Sequence, residues 1–188
     1  MVLAHSFIGA PITYLLVKNK NLTPKFKNLA YFVGVTGAIL PDLDLLLSFF
    51  IKDLNHRKLV SHSIIPYLVI FLTITLVSFF LQKHKSEVRL LNLIAFTAIF
   101  SHLMIDFFVG TIAIFGPLDT NLYGFRVPFA DNNEFFVKYF NSQYLIYELV
   151  VISIFFILFK KYKEVPAIYL SYFYFLVAIA MVFRFSLI

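Results

Sequence analysis

The chain has 188 residues, 61% of them hydrophobic and 14% charged, against about 45–50% and 25% in an ordinary soluble domain. Six spanning helices of about 20 residues each would take about 120 residues and leave about 68 for every loop, which excludes a separate soluble catalytic domain. Cysteine is absent, so disulfides, thiolate metal sites and thiol catalysis are excluded, and the net charge of +6 reads as basic flanks that orient apolar segments in a membrane, not as nucleic-acid binding.

In chain order, apolar runs bounded by charges predict segments at about 1–17, 29–51, 64–81, 90–117, 144–159 and 167–183. This is an all-α, polytopic transmembrane bundle of about six segments, forming one integral membrane domain over residues 1–188. The 25 Phe and 11 Tyr are too many for a water-facing surface and are expected to face lipid or other helices. The first segment has neither a basic start nor a small-residue cleavage site, so it is read as retained. The loops after segments one, three and five carry Lys18, Lys20, Lys25, Lys27, Lys83, Lys85, Arg89, Lys160, Lys161 and Lys163, ten of the sixteen basic residues. The positive-inside tendency makes these loops cytoplasmic and puts both termini outside.

Segment two contains Leu40-Pro41-Asp42-Leu43-Asp44. Two carboxylates at i and i+2 point about 200° apart on a regular helix, so both reach one site only if the helix is broken. Pro41 lacks an N–H and biases Leu40 away from the helical region, and the break is predicted there. Irregular backbone at membrane depth is tolerated where protein or a water-filled cavity covers it. The alternative is an ordinary kink with Asp44 at the interface. The following loop holds His56, Arg57, Lys58 and His62, and His62 stands just before segment three, where it would reach into a cavity under the loop. Arg57 and Lys58 suit a phosphate, one as a fork and the other as a point charge, and suit equally a solvated loop at lipid headgroups.

In segment four, His102 and Asp106 are four apart and share one helix face. They read either as a pair of metal ligands or as a hydrogen-bonded pair joining helices. Together with Asp42, Asp44, His5, His56, His62 and Glu148, they fall between the bilayer middle and its outer face in the predicted topology. Charges at membrane depth are retained mainly where they pair, bind something or line water. Imidazole with carboxylate favours Zn²⁺, with Mn²⁺ or another divalent ion as the alternative. No Gly-rich phosphate loop, Gly-x-Ser-x-Gly elbow or His-Glu-x-x-His helix is present.

His5 with Gly9, the Leu40–Asp44 run, His56-Arg57 with His62-Ser63, and His102-x-x-x-Asp106 with Gly110 and Pro117 resemble the LexA-regulated, membrane-bound metal-dependent hydrolases of bacterial inner membranes. The resemblance covers about residues 1–120, which hold all the metal-site motifs. The same order is more remotely similar to the zinc-dependent phospholipase C and P1 nuclease group. That similarity implies His5, Asp42 or Asp44, His62, His102 and Asp106 as ligands of one or two zinc ions. The chain departs from that group in beginning with Met1 instead of Trp and in having no histidine after His102. The expected function is a multi-pass plasma-membrane hydrolase whose centre opens on the extracytoplasmic side. It would act on a phosphoester of a lipid or lipid-linked substrate, with Asp42, Asp44, His56 and Arg57 as the catalytic group. Membrane lipids are its expected partners and nucleic acid is not. A metal or proton transporter, and a non-catalytic membrane scaffold, are the other readings of the same residues.

Overall fold

The computed structural model describes residues 5–49, 51 and 56–125, with isolated positions at 149–150, 152–154, 157, 169 and 176. Predicted segments five and six, and Arg126, Asp131, Glu134 and Glu148 with them, lie essentially outside the described residues. Four α-helices are described: α1 His5–Val17, α2 Pro24–Ile39, α3 Ile64–Ser78 and α4 Lys85–Val109. Between α2 and α3 run three 3-10 helices, Leu40–Phe49, His56–Lys58 and Val60–His62. Beyond helices, the described residues contain a single antiparallel bridge, Ile112 to Tyr123.

Local chemistry sets the helix ends. Thr23 caps α2, its hydroxyl accepting from Phe26 N–H at 3.3 Å, with Pro24 at a first-turn position that needs no N–H. Ser63 caps α3 in the same way, accepting from Ile65 N–H. At Pro41 the α-helix gives way to the 3-10 helix, where the break is predicted. Leu40 nevertheless keeps right-handed helical dihedrals (φ −51°, ψ −42°). The bias against helix before proline yields to a tightened turn, not to an extended residue. α4 begins five residues earlier than the predicted segment and ends at Val109 instead of 117. Gly110 closes it, and the chain turns back so that Phe125 N–H donates to Phe107 O at 2.9 Å.

Small residues let the helices approach. A Cβ added to Gly34 would stand 1.9 Å from Thr13 Oγ1, and one added to Gly9 would stand 2.2 Å from Gly34 O, so the α1–α2 crossing leaves no room for a side chain at either. Phe7, Ala30, Tyr31, Val35 and Ile94 fill the core that α1, α2 and α4 share. α3 is pinned to α4 by Asn92 Nδ2, which donates to Phe71 O and Thr75 Oγ1 at 2.9 and 3.0 Å. Leu68, Val69, Ile70, Leu72, Ile74, Leu76 and Val77 of α3 are all exposed, a run of exposed apolar residues of the kind that marks a membrane or protein contact. Among the described residues one helix, Lys85–Phe108, is long and apolar enough to cross a membrane. Its 24 residues extend about 36 Å, against a hydrocarbon core of about 30 Å.

Candidate metal centre

The buried acidic and histidine residues among those described are Asp44, His62, His102 and Asp106, and all lie together. With the partly exposed Asp42 they bring one end of α2, the turn before α3 and the last two turns of α4 to a single point.

His102 comes from α4 and faces the end of α2. Gly37 permits this, since a Cβ there would stand 3.2 Å from Ala95 O and 3.3 Å from the Cβ of Ala98. Ala38 lies in the last turn of α2, where carbonyls run out of intrahelical donors. The Ala38 carbonyl accepts instead from His102 Nδ1 at 2.7 Å. A carbonyl can only accept, so the proton is on Nδ1 and the lone pair of the neutral ring is on Nε2.

His62 is fully buried in the short turn Val60–His62. Its N–H donates to Leu59 O at 3.0 Å, Tyr67 OH donates to Ser61 O at 2.9 Å, and Ile64 N–H donates to Ile114 O at 2.9 Å, so the turn is held from three directions. His62 Nδ1 donates to Asp44 Oδ2 at 3.2 Å, and the Ser61 hydroxyl donates to the same oxygen. The imidazole explains how two carboxylates on different sides of a helix serve one site. Asp44 binds Nδ1, Asp42 faces Nε2, and the ring spans the gap between them.

The four remaining contacts define the centre. His62 Nε2 is 3.5 Å from both Asp42 Oδ1 and Asp106 Oδ2, while His102 Nε2 is 3.6 Å from Asp42 Oδ1 and 3.3 Å from Asp106 Oδ2. Direct imidazolium–carboxylate bonds would be about 2.7–2.9 Å. A tetrahedral ion with arms of about 2.0–2.1 Å separates its ligands by about 3.3 Å. The four nitrogen–oxygen distances fit groups arranged about an ion better than groups bonded to one another. One ligand atom from each of the four residues lies within 4.8 Å of every other. Each histidine also carries the carbonyl or carboxylate partner on its far nitrogen that metal-bound imidazoles require. These residues therefore fit a divalent ion.

Electrostatics favour a cation here too. Three carboxylates meet two imidazoles in a site closed to water except at Asp42, whose side chain is 23% exposed. Burial works against a charged His62, but Asp106, Asp42 and Asp44 more than offset it and raise its pKa from 6.5 to about 11. Without a metal, the site holds a proton on His62.

Of the residues singled out in the sequence, Asp42, His62, His102 and Asp106 come together in one cluster that could hold an ion. Asp44 joins them one layer behind, as the partner of His62. His5 opens α1 and His56 opens the turn His56–Lys58, but the side chains of both lie outside the described residues, as does Glu148. Arg57 lies in that turn, beside the end of α4 and apart from the cluster. Sequence reasoning missed Ser61, a hydroxyl beside a ligand with no periodic signal of its own. It also missed the Ala38 carbonyl, which no side chain could reveal.

A model of the YdjM inner membrane protein family matches residues 1–185. The chain belongs to that family. No curated protein and no solved structure matches it.

Proposed function

We propose that this member of the YdjM inner membrane protein family is a membrane-embedded, metal-dependent hydrolase. Asp42, His62, His102 and Asp106 would hold one divalent ion, zinc by preference, and a phosphoester of a lipid or lipid-linked molecule would be the substrate. The observation that carries the reading is the set of four nitrogen–oxygen separations of 3.3–3.6 Å between two oriented imidazoles and two carboxylates. The donor set of two nitrogens and two oxygens suits zinc and does not suit calcium. A bound ion of this kind supplies a water of lowered pKa and polarises a phosphoryl oxygen.

The chain's own residues have separate tasks. Asp44 fixes the tautomer of His62, and the Ala38 carbonyl fixes that of His102, so both Nε2 atoms present lone pairs. Asp42 is the ligand with solvent access, which makes its carboxylate the group to take a proton from water. Val60, Leu43 and Phe108 are exposed large hydrophobics, each within two residues of His62, Asp42 or Asp106. They would keep acyl chains against the mouth of the site. In the six-segment topology proposed from the basic loops, that mouth faces the outer leaflet. Transport is less well supported: among the described residues no buried Asp, Glu, His, Lys or Arg continues away from the cluster, where an ion path would need one.

The test is hydrolysis of a panel of phosphoester lipids by the purified protein in liposomes. Product release should be lost in His102→Ala and on chelation, and restored to the wild type by zinc. Release at the wild-type rate from His102→Ala would reject the reading.

A further inference from the structure

The loop that carries His62 also delivers Arg57, and the structure gives that side chain a seat. The Arg57 carbonyl accepts from Ala113 N–H at 3.0 Å, which ties its turn to the chain after α4. Its guanidinium fills the space that Gly110 leaves. A Cβ at Gly110 would stand 1.7 Å from Nη1, 2.8 Å from Cζ and 3.3 Å from Nη2. Gly110 ends α4, with its N–H donating to the Asp106 carbonyl at 2.8 Å. His102, Asp106 and Gly110 therefore follow one another at a spacing of four. Gly110 stands one turn, or about 6 Å, beyond Asp106 on the ligand-bearing side of the helix.

The charge balance is the second observation. Asp42, Asp44 and Asp106 all make contacts with imidazoles, yet among the described residues none of them forms an ion pair with half-buried Arg57. A guanidinium packed against Gly110, one turn beyond Asp106, and committed to no carboxylate keeps its planar fork of donors for another anion. An anion shared between the metal position and this fork must offer oxygens in two directions. A phosphate group does so, whereas a carboxylate has only one pair.

We propose that Arg57 is the anion-recognition group of this centre, that its ligand is a phosphate group, and that Gly110 is the positioning residue that seats it. The proposal rests on the metal-site reading for the ligand's second contact, so its test is arranged to separate the two. Gly110 has φ −159°, an extended value open to any residue, and the atoms its Cβ would meet are the far end of a flexible side chain. Gly110→Ala should therefore displace the guanidinium without disturbing the backbone.

The experiment titrates inorganic phosphate into the full chain in phosphatidylcholine nanodiscs, with and without zinc, and measures zinc content and Tm beside it. A second arm repeats the titration in nanodiscs containing phosphatidic acid. Arg57→Ala and Gly110→Ala should weaken phosphate binding by about ten- to a hundredfold, with zinc content unchanged and Arg57→Lys intermediate. Competition by phosphatidic acid would identify a lipid headgroup as the source of the phosphate, and its absence a soluble one. Phosphate affinity unchanged in Arg57→Ala, even with a lowered Tm, would overturn the proposal. Loss of zinc binding by the wild type with an Arg57-dependent phosphate affinity would reject the metal reading and leave this one standing.

Discussion

Replacing Asp44 by Asn separates a ligand from the residue that orients it. Asp44 Oδ2 accepts from His62 Nδ1 and from the Ser61 hydroxyl, and none of the separations that define the ion position involves Asp44. An Asn side chain has nearly the same shape and its oxygen can still accept both bonds. What it lacks is the charge, which makes the His62 Nε2 lone pair more basic and stabilises the ring once it donates that pair to an ion. Loss of such an outer partner typically costs 10–100-fold in metal affinity, or about 1.4–2.7 kcal/mol. Asp42→Asn removes a proposed direct ligand and should cost more, with an ion no longer held at one per chain. The assay is zinc competition against a chelating dye, run on both variants in the same detergent. Asp44→Asn should retain one zinc per chain at 10–100-fold weaker affinity. If it loses the ion as completely as Asp42→Asn, or binds as tightly as the wild type, the assignment of the two carboxylates is wrong.

Three further outcomes follow from the same geometry. The metal-free site keeps a proton on His62 up to about pH 11, so zinc must displace it. Apparent affinity should rise about tenfold per pH unit for each proton released, weakest at low pH, and calorimetry in buffers of different ionisation enthalpy should show that release; affinity constant from pH 6 to 8 would contradict it. Gly34→Ala puts a Cβ 1.9 Å from Thr13 Oγ1 and should destabilise the fold by about 1–3 kcal/mol, seen as a lower midpoint in denaturant unfolding. Asn92→Ala removes the two bonds from α4 to α3 and should cost about 0.6–1.7 kcal/mol in the same assay, with zinc content untouched because the pin is remote from the centre.

Much of the centre was legible because chemistry at membrane depth is sparse. His102 and Asp106 needed only the helical period, and Pro41 announced a change of helix type beside two carboxylates. The division of labour between Asp42 and Asp44 was not legible, because it depends on an imidazole arriving from another segment and standing between them. The seat of Arg57 on Gly110 joins residues 53 positions apart, and no local pattern encodes that. The extent of α4 was misjudged at both ends for physical reasons. Lys85, Glu87 and Arg89 extend the helix beyond its apolar stretch. The apolar residues Ile112 and Ile114 belong to a folded loop whose backbone pairs with Tyr123 and caps α3.

The central claim is that two imidazoles and two carboxylates hold one ion, and zinc X-ray absorption with elemental analysis of the purified protein tests it most directly. One zinc per chain, with two imidazole nitrogens and two oxygens at about 2.0–2.1 Å and loss of that signal in His102→Ala, is the predicted result. Substoichiometric zinc, or equal zinc in wild type and His102→Ala, would contradict it.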